Sequence, residues 1–129
     1  MNPIAARVTG LQHIGVPTND MEKTLAFYQS LGFDLALDTK LEAMRVCFLK
    51  LQDVCVEAYE NGEAVGHPGA INHIALNVDD VFAAWDAVTA AGYVPLEQEP
   101  RFLPFWENGV KFFNIQGPNM EIVEFSQYL

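Results

Sequence analysis

The chain repeats itself at a spacing of sixty residues. Leu11-Gln12-His13-Ile14-Gly15-Val16 returns as Ile71-Asn72-His73-Ile74-Ala75-Leu76. Asp20 and Asp80 follow their histidines at the same distance, and so do Gly32-Phe33 and Gly92-Tyr93. Each copy also ends on an apolar stretch interrupted by one glutamate, Glu57 in Val54-Cys55-Val56-Glu57-Ala58 and Glu124 in Ile122-Val123-Glu124-Phe125. A duplicated unit of this kind must bury its apolar face against its twin. Folding the two together carries two imidazoles and two carboxylates to equivalent places, the outline of a metal site.

Within each copy the hydrophobic period changes in a fixed order. A strand is expected over 8–16. Pro17-Thr18-Asn19-Asp20 ends it, and Asn19 or Asp20 supplies a helix cap. Leu25, Phe27, Tyr28 and Leu31 then fall at helical spacing until Gly32 stops the helix. Strands follow over 33–37, 45–49 and 54–59, the last two joined as a hairpin. A glycine-rich connector over 61–70 leads to the second copy, with strand 71–78, helix 80–90 and strands 93–97, 110–115 and 120–125. The order is β-α-β-β-β twice, an α+β class in one domain spanning residues 1–129. The first module covers about 8–60 and the second about 71–127. The stretch 98–108 is longer than its counterpart and rich in Pro100, Phe102, Pro104, Phe105 and Trp106, the composition of a lid, a subunit contact or a loop packed on the sheet.

Side chains alternate across a strand, and this selects the candidate ligands. Ile74, Leu76 and Val78 must face the helix, so His73 points the other way; His13 stands opposite Ile14 and Val16 in the same manner. Glu57 opposes Val56 and Ala58, and Glu124 opposes Val123 and Phe125. Glu121 lies on the Val123 side beside the Gly117-Pro118-Asn119 turn and is expected to meet solvent. Two carboxylates buried together without a cation cost several kcal/mol each, a cost that a divalent ion and two imidazoles remove. His67 has no partner in the repeat and is read as a loop residue.

Composition excludes several roles. Seventeen acids against seven bases give a net charge of −10, which opposes binding to nucleic acid or anionic lipid. No apolar run approaches the ~20 residues that span a bilayer. No export signal is apparent at the start, so a cytoplasmic location is expected, with Cys47 and Cys55 as reduced thiols. Among the seven bases, Arg45, Arg101 and Lys111 are candidates to anchor an anionic substrate group at the mouth of the site.

The quoted segments, together with Phe27-Tyr28, Leu31-Gly32-Phe33 and the Gly117-Pro118-Asn119 to Val123-Glu124-Phe125 ending, resemble the vicinal oxygen chelate superfamily over essentially the whole chain, and within it glyoxalase I most of all. The resemblance implies a curled eight-stranded mixed sheet built from paired βαβββ modules, a central metal cup and a homodimer. It implies His13, Glu57, His73 and Glu124 as ligands of one divalent ion, which residue chemistry leaves open among Ni, Co, Zn, Mn and Fe. It also implies a small-molecule substrate and a 1,2-proton shift on an α-oxo compound or hemithioacetal, with Glu124 as the first choice of base and Glu57 as the second. Asn61 matches a glutathione-contacting asparagine, whereas Pro17 stands where glyoxalase I typically has an arginine that holds a glutathione carboxylate. Metal chemistry therefore carries over better than glutathione or another thiol as co-substrate. Phe105 and Trp106 join Asn61, Arg45 and Arg101 as candidate substrate contacts. The competing expectations are a metal-dependent epimerase, an extradiol-type dioxygenase, and a non-catalytic protein that binds a small molecule such as an antibiotic.

Overall fold

A computed structural model describes residues 2, 3, 5–7 and 9–129. The first module runs β1 (Ile14–Pro17), α1 (Met21–Ser30), β2 (Asp34–Leu41), β3 (Met44–Leu51) and β4 (Val54–Tyr59). The second runs β5 (His73–Asn77), α2 (Val81–Ala90), β6 (Arg101–Leu103), β7 (Val110–Gln116) and β8 (Ile122–Tyr128). The fold is the expected α+β pairing of βαβββ modules. Its eight strands divide into two mixed four-stranded sheets, ordered β1-β4-β3-β2 and β5-β8-β7-β6.

Both helices start and stop by the same devices. Asp20 accepts from the backbone N–H of Lys23, and Asp80 accepts from those of Phe82 and Ala83, so each aspartate satisfies donors the helix leaves free. Gly32 and Gly92 take φ of +101° and +96°, the left-handed turn that closes a helix and that glycine adopts without strain. The following N–H groups of Phe33 and Tyr93 reach back to the carbonyls of Tyr28 and Val88. A common core forms beneath the helices. Met21, Tyr28, Leu49 and Val56 of the first module join Val81, Phe113, Ile115 and Val123 of the second in one buried cluster.

Two strand expectations need correction. The first strand is confined to Ile14–Pro17 rather than 8–16, and Val8 lies outside the described residues. No strand forms over 93–97; the corresponding pairing with β7 is made later, by Arg101–Leu103. The physical reason lies at Glu97. Leu96 N–H donates to the Asn114 carbonyl as a strand would, but the Asn114 N–H is then taken by the Glu97 carboxylate at 2.7 Å. A side chain has replaced the backbone acceptor, Pro95 interrupts the run, and Val94 is left exposed. Among the described residues, no helix is long and apolar enough to cross a membrane.

Polar contacts join the modules through the first helix. The Tyr28 hydroxyl donates to Glu121 Oε2 at 3.0 Å, Asn119 Nδ2 donates to Thr24 Oγ1 at 3.0 Å, and the Ser30 and Tyr93 hydroxyls lie hydrogen-bonded. Glu121 is therefore an inter-module contact, half-buried, and not the solvent-facing residue expected from its place beside a turn. It also accepts from the Asn119 N–H at 2.8 Å.

Candidate metal centre

The two parallel strand pairs, β1/β4 and β5/β8, set the candidate ligands with identical offsets. Gly15 lies opposite Glu57 and Ala75 opposite Glu124, so each histidine sits two residues before the small residue that faces its glutamate. Even spacing keeps the histidine and glutamate of a pair on the sheet face away from the helix. The neighbours facing the helix confirm the division: Val56, Ala58 and Val123 are fully buried, and Phe125 nearly so.

In each module the imidazole and carboxylate meet. His13 Nε2 stands 3.9 Å from Glu57 Oε1, and His73 Nε2 stands 3.2 Å from Glu124 Oε2. The other ring nitrogen is held in the same way in both copies. His13 Nδ1 lies 3.0 Å from the Gln12 side-chain oxygen, and His73 Nδ1 lies 2.9 Å from that of Asn72. An amide oxygen only accepts, so this contact is made by an Nδ1–H and turns Nε2 toward the carboxylate. Metal-binding histidines are oriented in this way, with the second nitrogen anchored to an acceptor. Gln12 and Asn72 are thus members of the site that the side-chain chemistry of the repeat did not single out. Their shared place immediately before each histidine was the available signal.

The four residues do not converge within one chain. Among the described residues, no three His, Cys, Asp or Glu side chains lie close enough together to hold a metal ion. The expectation that folding the copies together gathers the quartet is corrected to two separate His–Glu half-sites. The modules pack on each other through α1 and the 117–121 turn, and that arrangement leaves the two ligand faces apart.

The second half-site opens onto a cavity of about 530 Å³. His73 and Glu124 line it together with Asn114, Phe112 and Tyr128, and the loop residues Phe105 and Trp106 complete its wall. Phe112, Asn114, Ser126 and Tyr128 share the Glu124 face through the β7/β8 register, Phe112 opposite Ser126 and Asn114 opposite Glu124. The alternation places Ser126 with Glu124, and extending it by two more residues would have found Tyr128. In the first module Phe48 lies opposite Glu57 and packs edge-on against the His13 ring at 5.9 Å.

The remaining candidates fall outside this face or at its margin. Arg45 adjoins Val46 on the opposite side of β3 and is held by Asp38 and Glu22, with Nη2 2.8 Å from Asp38 Oδ2. That pairing holds the Asp38 carboxyl below its ordinary range and removes Arg45 as a substrate anchor. Asn61 is folded into an exposed turn, accepting from the Glu63 N–H at 3.0 Å, and does not line the cavity. Lys111 lies over the Phe82 ring at 4.9 Å on the helix side. Arg101 shares the Glu124 face but stands on the edge strand β6, outside the cavity lining.

The glyoxalase/bleomycin resistance protein/dioxygenase superfamily model matches residues 10–125. The uncharacterized protein YwbC of Bacillus subtilis (strain 168) is 26% identical over 126 residues, covering 91% of this chain and 96% of its own. Among solved structures, TnmS3, an antibiotic binding protein from Streptomyces sp. CB03234, superposes with a TM-score of 0.78 at 21% identity, covering 95% of this chain and 98% of its own. The fosfomycin resistance protein FosX from Listeria monocytogenes, in complex with Mn(II) and sulfate, superposes with a TM-score of 0.73 at 16% identity, covering 95% and 94%. At these identities the structural likenesses establish the fold.

Proposed function

Because the chain belongs to the glyoxalase/bleomycin resistance protein/dioxygenase superfamily, we propose that it is a metal-dependent enzyme of glyoxalase type. Its substrate is a small α-oxo compound or hemithioacetal, and its reaction is a 1,2-proton shift. One observation carries the reading: two His–Glu pairs with the same register, and with each histidine anchored through Nδ1 to the amide of the preceding residue. Imidazole nitrogen and carboxylate oxygen form a donor set suited to Mn, Fe, Co, Ni or Zn. His13, Glu57, His73 and Glu124 would hold the ion.

Each chain presents two half-sites rather than one centre, so the quartet is completed between two copies. The His13–Glu57 pair of one chain faces the His73–Glu124 pair of its partner, and a twofold axis then generates two equal centres per homodimer. Both ligand faces are open for such a contact. Leu37 and Leu41 extend the Glu57 face, and Phe105, Trp106 and Tyr128 extend the Glu124 face, all of them exposed.

When bound between His13, Glu57, His73 and Glu124, a divalent ion would supply Lewis acidity to the reaction. Glu124 removes the proton from the carbon α to the carbonyl and returns it to the adjacent carbon; no electron acceptor is needed. Glu57 is the alternative base. Gln12 and Asn72 take the Nδ1–H of His13 and His73 and turn each Nε2 toward its glutamate, where an ion would be held. Asn114, held by Glu97 Oε2 through Nδ2 at 2.8 Å, leaves its own amide oxygen for the substrate.

A second reading, a non-catalytic small-molecule binder, is favoured by the cavity and by the likeness to an antibiotic binding protein. One experiment separates the two. Protein reconstituted with each metal is assayed with methylglyoxal and a panel of thiols, alongside elemental analysis. Near one metal per chain, lost in His73→Ala, with thioester formation supports the enzyme. Less than a tenth of a metal per chain after loading with Ni, Co or Zn refutes it.

A further inference from the structure

The cavity beside His73 and Glu124 has a composition that says what it accepts. Its ring-bearing wall is made by Phe105, Trp106, Phe112 and Tyr128, and besides His73 and Glu124 its hydrogen-bonding groups are the neutral side chains Asn72, Asn77, Asn114 and Ser126. Among the described residues, no lysine or arginine lines it. The seven bases of the chain are placed elsewhere. Arg45 is paired with Asp38 and Glu22, and Lys111 lies over Phe82. Lys50 and Arg101 are the bases on the two ligand faces, at the Cys55 register and on the edge strand β6 respectively. Lys23 lies on α1, Lys40 lies opposite Arg45 on the helix side of the sheet, and Arg7 is exposed. With a net charge of −10 the chain repels anions at long range as well.

Trp106 is set into this wall at a cost. Its φ is +63°, a left-handed conformation that disfavours any side chain, and its indole stands edge-on to the Tyr128 ring at 5.8 Å. Three-quarters of Trp106 is exposed in the single chain. Its indole presents a large flat surface to the cavity, beside a second ring. Volumes of this size take drug-sized molecules.

We infer that the substrate is a neutral α-oxo compound carrying one or more aromatic rings, stacked against Trp106 and Tyr128, rather than a glutathione conjugate or a phosphonate. The inference rests on the glyoxalase-type reading for the role of the vicinal oxygens. The ring contact itself does not need a metal.

The probe is benzoin, a neutral aromatic α-hydroxy ketone, compared with hydroxyacetone, which has the same oxygen pair without rings, and with S-lactoylglutathione, which is anionic. Binding is measured by equilibrium dialysis to metal-free and Zn-loaded protein. Benzoin binds the metal-free protein at least tenfold more tightly than either competitor. Trp106→Ala weakens binding to the metal-free protein by about tenfold, the upper range for one aromatic pair, and Trp106→Phe restores most of it. If benzoin binds this way but metal neither loads nor tightens it, the enzymatic reading fails while the substrate class stands. Equal or tighter binding of S-lactoylglutathione or hydroxyacetone overturns the inference, as does a Trp106→Ala protein that binds benzoin like the parent.

Discussion

Tyr28→Phe isolates one of the bonds that join the modules. Tyr28 is 1% exposed, and its ring packs edge-on against Phe27 at 4.9 Å and Phe33 at 5.3 Å. Phenylalanine keeps those contacts and opens no cavity, so the loss is confined to the hydroxyl and its 3.0 Å bond to Glu121. A hydrogen bond to a charged acceptor contributes about 1.5–3 kcal/mol. Glu121 retains the Asn119 N–H, so a value near 2 kcal/mol is expected. For 129 residues the unfolding entropy is about 0.27 kcal/mol/K. The melting temperature therefore falls by about 7 °C, read by calorimetry at neutral pH. The pH profile gives an independent check. Burial first, then the charge and hydrogen bond of Glu121, push the Tyr28 hydroxyl above its ordinary range. Because the folded value is raised, this group's stabilisation is complete below pH ~10, where the unfolded tyrosine titrates, and is lost as the pH rises further. The gap between parent and Tyr28→Phe should then narrow above pH ~10. A melting temperature within 1 °C of the parent, or a gap that widens in alkali, would refute the account.

Other outcomes follow from the half-sites and the thiols. Mixing His13→Ala with His73→Ala protein, each inactive alone, restores metal binding at one centre per heterodimer; if ligands close within a chain, mixing restores nothing. Gln12→Ala and Asn72→Ala each lower metal affinity 10–100-fold by freeing the imidazole, read by competition with a chelator, and unchanged affinity would remove them from the site. Cys47 is fully buried and pushed up to about 11 by burial and by the Asp38 carboxylate, so at pH 8 a disulfide reagent modifies Cys55 and leaves Cys47 until denaturant is added. The same raised value removes stability between pH ~8.5 and about 11, a loss that Cys47→Ala should lack when unfolding is followed across that window.

The repeat made the fold legible because every periodic cue occurred twice. The aspartate caps, the glycine stops and the alternation around each glutamate all recur in the structure at the places the sequence marks. The 93–97 strand failed because its cue was local composition, and the determinant was a distant pairing: Glu97 reaches the backbone of Asn114, a contact of seventeen residues' separation. Glu121 was misjudged for the same reason. A glutamate beside a turn reads as solvated, and only the packing of α1 shows Tyr28 waiting for it.

The site was legible to the depth of a single module and no further. Alternation states which face a side chain leaves from, and register then places His13 with Glu57 and His73 with Glu124. Neither rule says which way two sheets turn toward each other. That is decided by the inter-module contacts of Thr24, Tyr28, Asn119 and Glu121, which pack the helix of one copy on the turn of the other. Those contacts keep the His13–Glu57 and His73–Glu124 pairs apart. A duplicated chain that commits its helix side to its own second half has two equal open faces left, and the symmetric way to cover both is another copy of itself. The mixing experiment with His13→Ala and His73→Ala tests that step directly, because restored metal binding arises only when one intact half-site from each chain meets.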